Sequence, residues 1–446
     1  MRDFSASPSA RALAALRSGD YGLAEAIVEE LISGAFSVNV AALGISRDRY
    51  SLNSVNGLVR LETGRDYFFK FHHEEGEEVT LEEYYRGELL KQAGFPVDVP
   101  EFVSRTVGSQ VLLYPRRTAQ RVADVAEVLD FEPPPAAEPM LLAQSSLDAL
   151  TSAIYAQTLH AADPALVERE PVHQLFHHRM VEPGRPQEPG GRAKRFFWDR
   201  DFNLGGTVLS AQMLRGASWV INGIAYRDTI ETILTRGRML LEPRRLAKFG
   251  AVTAHGDSHN ANVWWDEDAS PDRRLTLFDP AFAGAHICAL LAEVKATFHN
   301  IFAHPLWLYD AKRASERFHV TVTYRGSVIG IETDWQISAL REAFLDIKST
   351  QLWRPLLSLL RERGFLDPDW RATLRCALFC CPALVMDLRA GGAGDHTPTT
   401  SAIGLATAVS LGSETEGGKL DVITRFLDRI DPGPEAHALT DGGRPR

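Results

Sequence analysis

Cysteine is scarce in this chain: four residues in 446, at Cys288, Cys376, Cys380 and Cys381. Thiols so few and so clustered exclude a disulfide framework. Three fall in the apolar run from Cys376 to Met386, where buried thiols are expected; a Cys376/Cys380 metal pair on one helix face is the alternative. Long hydrophobic runs are also missing. No stretch approaches the roughly 20 apolar residues of a bilayer span, and Met1-Arg2-Asp3-Phe4-Ser5 opens without the apolar core of a secretion signal. A cytoplasmic protein with no membrane partner is therefore expected. Positive charge is in deficit, with 48 Lys and Arg against 58 Asp and Glu for a formal charge of -10, which argues against nucleic acid as a partner. What remains is ordinary globular composition. Hydrophobic residues at 45% and charged residues at 24% exclude wholesale disorder, and the length exceeds one ordinary core, which predicts two lobes.

The most informative stretch runs from His255 to Asp279. It reads His255-Gly256-Asp257-Ser258-His259-Asn260-Ala261-Asn262, then an apolar run to Trp265, a turn from Asp266 to Asp272, and Leu275-Thr276-Leu277-Phe278-Asp279-Pro280. Paired as a hairpin, the two apolar runs bring two carboxylates and an amide to one end. Phosphoryl transfer needs such a set, because its catalysis is mostly positioning and charge neutralisation. Magnesium takes oxygen ligands and one or two carboxylates, which Asp279 and the Asn262 amide oxygen supply. Asp257 is left to orient an attacking hydroxyl and take its proton. A rival reading is metal-dependent hydrolysis with His255, Asp257 and His259 as alternating ligands, which needs further ligands from His286, His299 or His304. A catalytically silent nucleotide-binding module is a third.

The pattern His-x-Asp, Asn five residues on and Phe-Asp-Pro after a hairpin resembles the aminoglycoside phosphotransferase and choline kinase group of the protein-kinase-like superfamily. The resemblance covers roughly residues 40 to 310. It implies an α+β, bilobal protein-kinase-like fold, with a small antiparallel-sheet lobe and a large, mainly helical lobe. The implied activity is transfer of the terminal phosphate of ATP (or GTP), with Mg2+, to a hydroxyl of a small molecule. Lys70, near the end of the strand Tyr67-Phe68-Phe69-Lys70-Phe71, looks like the family's phosphate-binding lysine. Glu83, on a helix expected from about Leu81 to Ala93, falls where the family's lysine-holding glutamate would, with Glu82 and Glu88 as rivals. Ser54-Val55-Asn56-Gly57 resembles the degenerate Gly/Ser-x-Asn turn of aminoglycoside-kinase relatives, which implicates Ser54 and Asn56 in nucleotide binding. Many members carry Asp-Leu-Ala after the metal turn, where this chain has Leu290-Leu291-Ala292-Glu293.

The expected division is a helical extension over 1–37, a small lobe over 38–115, a large lobe over 116–430 and a loose tail over 431–446. Gln110 to Tyr114 reads as the last small-lobe strand and Pro115 to Thr118 as a hinge. Arg192, Lys194 and Arg195, beside Phe196, Phe197 and Trp198, could grip an anionic substrate or nucleotide, or form a solvated loop. Ile287 to His299 reads as a helix with Leu290, Leu291 and Val294 inward. His299 to Tyr309 reads as helical core or acceptor-pocket lining, and the C-terminal third as a series of helices.

Overall fold

The computed structural model describes residues 8–46, 54–72, 86–104, 106, 110–303 and 305–430. The chain opens with α1 (Pro8–Arg17) and α2 (Tyr21–Phe36), the second capped by Asp20, which accepts from the Leu23 N–H at 3.0 Å. Strands β1 (Val40–Ile45), β2 (Ser54–Leu61), β3 (Asp66–His72), β4 (Phe102–Ser104) and β5 (Val111–Pro115) form one antiparallel sheet in the order β1-β2-β3-β5-β4. The two-residue period of the strands sorts their side chains. Val55, Val59, Leu61, Tyr67 and Phe69 enter a core closed by Ile27, Val28, Leu31 and Ile32 of α2. The alternate residues Asn56, Leu58, Phe68 and Lys70 take the other face and line a cleft. The sequence reading of Ser54 to Gly57 as a turn is corrected: these residues are strand, with Asn56 opposite Lys70 and Ser54 opposite His72.

Between β3 and β5, α3 (Gly87–Ala93) ends at Gly94, whose φ of 102° turns the chain out of the helix. Glu82 and Glu83 lie outside the described residues, and Glu88 is exposed on α3. The segment after α3 reaches the large lobe directly. Leu277 donates its N–H to Pro96 O at 2.7 Å, and Asp98 donates to Leu277 O at 2.9 Å.

After β5 the chain passes through Arg116 to Ala119 into β6 (Gln120–Arg121), α4 (Val122–Leu129) and α5 (Glu138–Thr158). Strand Val263–Trp265 pairs antiparallel with Leu275–Leu277, Val263 opposite Leu277, as the sequence pattern predicted, and β6 joins its other edge. The large lobe is mainly helical, and Trp370–Val385 and Pro398–Gly412 are buried along most of their length. It also holds a mixed five-stranded sheet in which Ser218–Ile221 runs parallel to Val328–Thr333. Gly284–Cys288 is a strand paired with Ala251–Ala254, so the helix expected from Ile287 begins only at Val294. A fully buried apolar run has no exposed face whose period separates strand from helix. The arrangement is bilobal and α+β, with the cleft between the lobes. Among the described residues no helix is long and apolar enough to cross a membrane.

Candidate active site

The loop from His255 is built by hydrogen bonds to its own backbone. Gly256 has φ of 76°, and a Cβ there would stand 2.5 Å from Phe282 O, so only glycine fits. His255 is 1% exposed. Its Nε2 lies 2.9 Å from Phe278 O, and its Nδ1 accepts the Asp257 N–H at 3.3 Å. An accepting Nδ1 and a donating Nε2 define the neutral tautomer, and burial holds the ring pKa below its usual value. Both ring nitrogens are thereby committed to backbone, and His255 serves to tie the loop to the turn that carries Asp279.

Asn262 closes the loop, donating from Nδ2 to Asp257 O at 3.0 Å, while Phe278 N–H donates to Asn262 O at 3.0 Å. The amide nitrogen is spent on backbone, so the amide oxygen is the end left for a ligand. Asp279 sits in the left-handed region, φ 58°, a costly conformation for a residue with a Cβ. Its carboxylate is in contact with the Lys70 ammonium across the two lobes. Trp264 stacks on Phe278 with ring centroids 4.2 Å apart, fixing the turn against the hairpin.

Asp257, Asn262, Asp279, Lys70 and Asn56 all line one cavity of about 1050 Å³. Asp257 Oδ1 is buried and has no hydrogen-bond partner among the described residues. Two nitrogens stand close to it, Lys295 Nζ at 3.6 Å and His259 Nε2 at 3.8 Å. His259 is neutral near pH 7, because burial pushes its pKa down to about 4 despite the Asp257 charge. Lys295 is 4% exposed and donates to His299 Nε2 at 2.8 Å. Burial, then the Lys295 charge, holds His299 well below the usual imidazole range. The ammonium of Lys295 therefore stands between a neutral imidazole and a carboxylate.

Lys295 is the residue that the sequence reading missed. A lysine inside the apolar run from Ile287 to Phe298, four residues before a histidine, is a signal that could have found it. Of the remaining predicted residues, Ser54 begins β2 opposite His72, and Glu83 lies outside the described residues. Arg192 and Arg195 lie on the short helix Gly191–Phe197 and line the cavity, as do His299 and Tyr309. Glu293, which ends the stretch Leu290-Leu291-Ala292-Glu293, is buried against Lys348 and Tyr155.

The rival metal set is not assembled. His286 Nδ1 lies 2.9 Å from His160 Nε2, and among the described residues no three His, Cys, Asp or Glu side chains group as metal ligands. All four cysteines are buried.

No family model matches the chain, and no curated protein matches it by sequence. Among solved structures, it is similar to macrolide 2'-phosphotransferase MphH from Brachybacterium faecium in its apoenzyme form, at 13% identity over 79% of this chain and 88% of that one, with a TM-score of 0.33. It is similar to the GDP and kanamycin complex of APH(2")-IIia at 10% identity over 79% and 88%, TM-score 0.39. A macrolide 2'-phosphotransferase type I matches at 12% identity over 81% and 97%, TM-score 0.34. These are likenesses of chain arrangement to the aminoglycoside phosphotransferase-like, protein-kinase-like family at low identity, and the chemistry of the cleft rests on its own distances.

Proposed function

We propose that this protein is a small-molecule kinase that transfers the terminal phosphate of ATP (or GTP) to a substrate hydroxyl. The observation that carries the reading is Asp257 Oδ1: a buried carboxylate oxygen without a hydrogen-bond partner, 3.6 Å from the Lys295 ammonium and in the same cavity as Asn262 and the Lys70–Asp279 pair. A buried acceptor left unpaired costs free energy, and an incoming hydroxyl proton removes that cost. The acceptor O–H gives its proton to Asp257 as its oxygen bonds to the terminal phosphorus. The bond from that phosphorus to the bridging oxygen breaks, and the nucleoside diphosphate leaves.

Around that step, each residue has a role of charge or position. Lys70 binds donor phosphate oxygens, with Asn56 opposite it on β2. The Asn262 amide oxygen and the Asp279 carboxylate, both hard oxygen donors, fit Mg2+, which when bound neutralises phosphate charge. Lys295 presents its ammonium beside Asp257, where negative charge gathers on the oxygens of the phosphoryl group in flight. Tyr114 and Pro115 through Arg117 line the cleft where β5 passes into the large lobe, a place for backbone contacts to a nucleobase.

The test is Asp257→Asn. Nucleotide binding, followed as a thermal shift with Mg2+, stays within about twofold, while turnover falls by about 10²- to 10⁴-fold, the usual worth of a general base. Undiminished phosphotransfer in this variant sinks the assignment.

A further inference from the structure

The part of the cavity wall supplied by the large lobe is basic, in a protein whose net charge is -10. Arg179, Arg192, Arg195, Arg200, Arg389 and Lys295 line it, against four carboxylates, Asp199, Asp257, Asp387 and Asp279, the last in contact with Lys70. His259 and His299 add no charge near neutrality. Two of the arginines are fixed in part by backbone carbonyls. Arg179 and Arg192 both donate from Nη1 to Leu384 O, at 3.3 and 3.2 Å, and Arg192 also donates to Val385 O at 2.6 Å. These carbonyls end the helix Trp370–Val385, so part of the arrangement is a favourable helix-terminus contact.

Arg389 supplies a separate sign of a ligand. It is 7% exposed, and Nε and Nη2 grip Asp387 at 2.7 and 2.5 Å. Its Nη1 is buried with no hydrogen-bond partner among the described residues, on a side chain that lines the cavity. A buried charged donor without an acceptor is rare in a folded protein, and an anionic oxygen is its natural complement. This wall is continuous with the base, because Lys295 touches His299 and stands 3.6 Å from Asp257, and the Arg179 charge also acts on His299.

We infer, resting on the kinase reading above, that the phosphate acceptor is an anion: a hydroxyl compound carrying a phosphate or carboxylate group that Arg192 and Arg389 hold while its hydroxyl faces Asp257. A cationic amino sugar or amino alcohol meets net repulsion on the same wall. Phosphate and carboxylate share the chemistry of oxygens that a guanidinium fork clasps in pairs.

The experiment is calorimetric titration of the protein, saturated with Mg2+ and a non-hydrolysable ATP analogue, with ribose 5-phosphate, gluconate, ribose and glucosamine. At least one of the two anions binds 10-fold or more tightly than ribose and glucosamine, and the comparison of the two anions separates phosphate from carboxylate. Arg192→Gln weakens the anion by about 10-fold or more, the usual worth of a charge-assisted contact, and leaves the analogue affinity unchanged. Arg195→Gln, at an exposed position that folding does not need, weakens it several-fold. The inference is overturned if neither anion binds, if ribose or glucosamine binds as tightly, or if neither variant moves the anion. It is also overturned if the analogue weakens in step with the anion, which assigns the arginines to nucleotide phosphates. Failure of the analogue to bind at all is a failure of the kinase reading, and the anion titration repeated without it still decides whether the wall takes anions.

Discussion

Lys348→Met tests whether a buried ionic cluster beside the His255–Asn262 loop holds the large lobe together. Lys348 is 4% exposed, with Nζ 2.6 Å from Asp148 Oδ1 and 3.0 Å from Glu293 Oε2. Tyr155 donates to Glu293 Oε1 at 2.6 Å, and Gln144 donates to Asp148 Oδ1 at 3.0 Å. Two acids share one ammonium, so burial wins over the Lys348 charge at Asp148 and raises its pKa, while the two carboxylates overcome burial at Lys348 and raise its pKa. Removing the lysine leaves both acids buried without a cation, a loss of about 3–5 kcal/mol. At about 2.1 cal/mol/K of unfolding entropy per residue, a chain of 446 residues converts that loss into a fall in Tm of roughly 3–5 °C. The sign with pH is diagnostic. A carboxyl whose folded pKa is raised is stabilising at low pH and loses that contribution as pH rises through the raised value, so the gap to wild type is small near pH 5 and widens toward pH 8. Thermal melts by circular dichroism at the two pH values read both quantities. Adding Asp148→Asn and Glu293→Gln to Lys348→Met restores most of the loss. A Tm change under about 1 °C, or an equal loss at pH 5 and pH 8, refutes the reasoning.

Lys295→Met lowers kcat by about 10²-fold with little change in nucleotide KM, the pattern of a contact made mainly in the transition state; an unchanged kcat removes Lys295 from the mechanism. Lys295→Arg, which keeps the charge, recovers part of the rate. Acid lability comes from buried neutral histidines: burial pushes His173 down to about 3 and His259 and His396 down to about 4. Below pH 6.5 the unfolded chain takes up a proton at each that the folded chain refuses. Stability therefore drops by roughly 1.4 kcal/mol per pH unit per histidine as pH falls from 6.5 to 4. Glu170, whose carboxyl burial raises, opposes that loss as it takes up its own proton. Urea unfolding at pH 7 and pH 5 measures the difference, and equal stabilities contradict it.

What could be read from the sequence followed the distance over which each signal acts. Asp257, Asn262 and Asp279 lie within one short stretch, and the strand, turn and strand between them carry their own pairing instructions, so the hairpin and its three side chains were legible. Lys70 was legible for the same reason, as a charged residue in a strand whose alternate positions fill a core. The hairpin from Val320 to Thr333 was as legible and went unread: Val320-Thr321-Val322-Thr323-Tyr324 alternates, and Gly326 and Ser327 both take positive φ, as a two-residue turn requires. Other features had no local signal at all. Ser218–Ile221 meets Val328–Thr333 more than 100 positions away, and nothing in either run names its partner. The basic wall is of this second kind. Arg192 reaches the carbonyls of Leu384 and Val385 across almost 200 positions, which turns a cluster that reads as a solvated loop into the side of a cleft. A chain-wide charge of -10 leaves room for cationic substrates, yet the charge that a ligand meets is the charge that the fold gathers along the cleft, and the large-lobe side of this one carries more arginine and lysine than carboxylate.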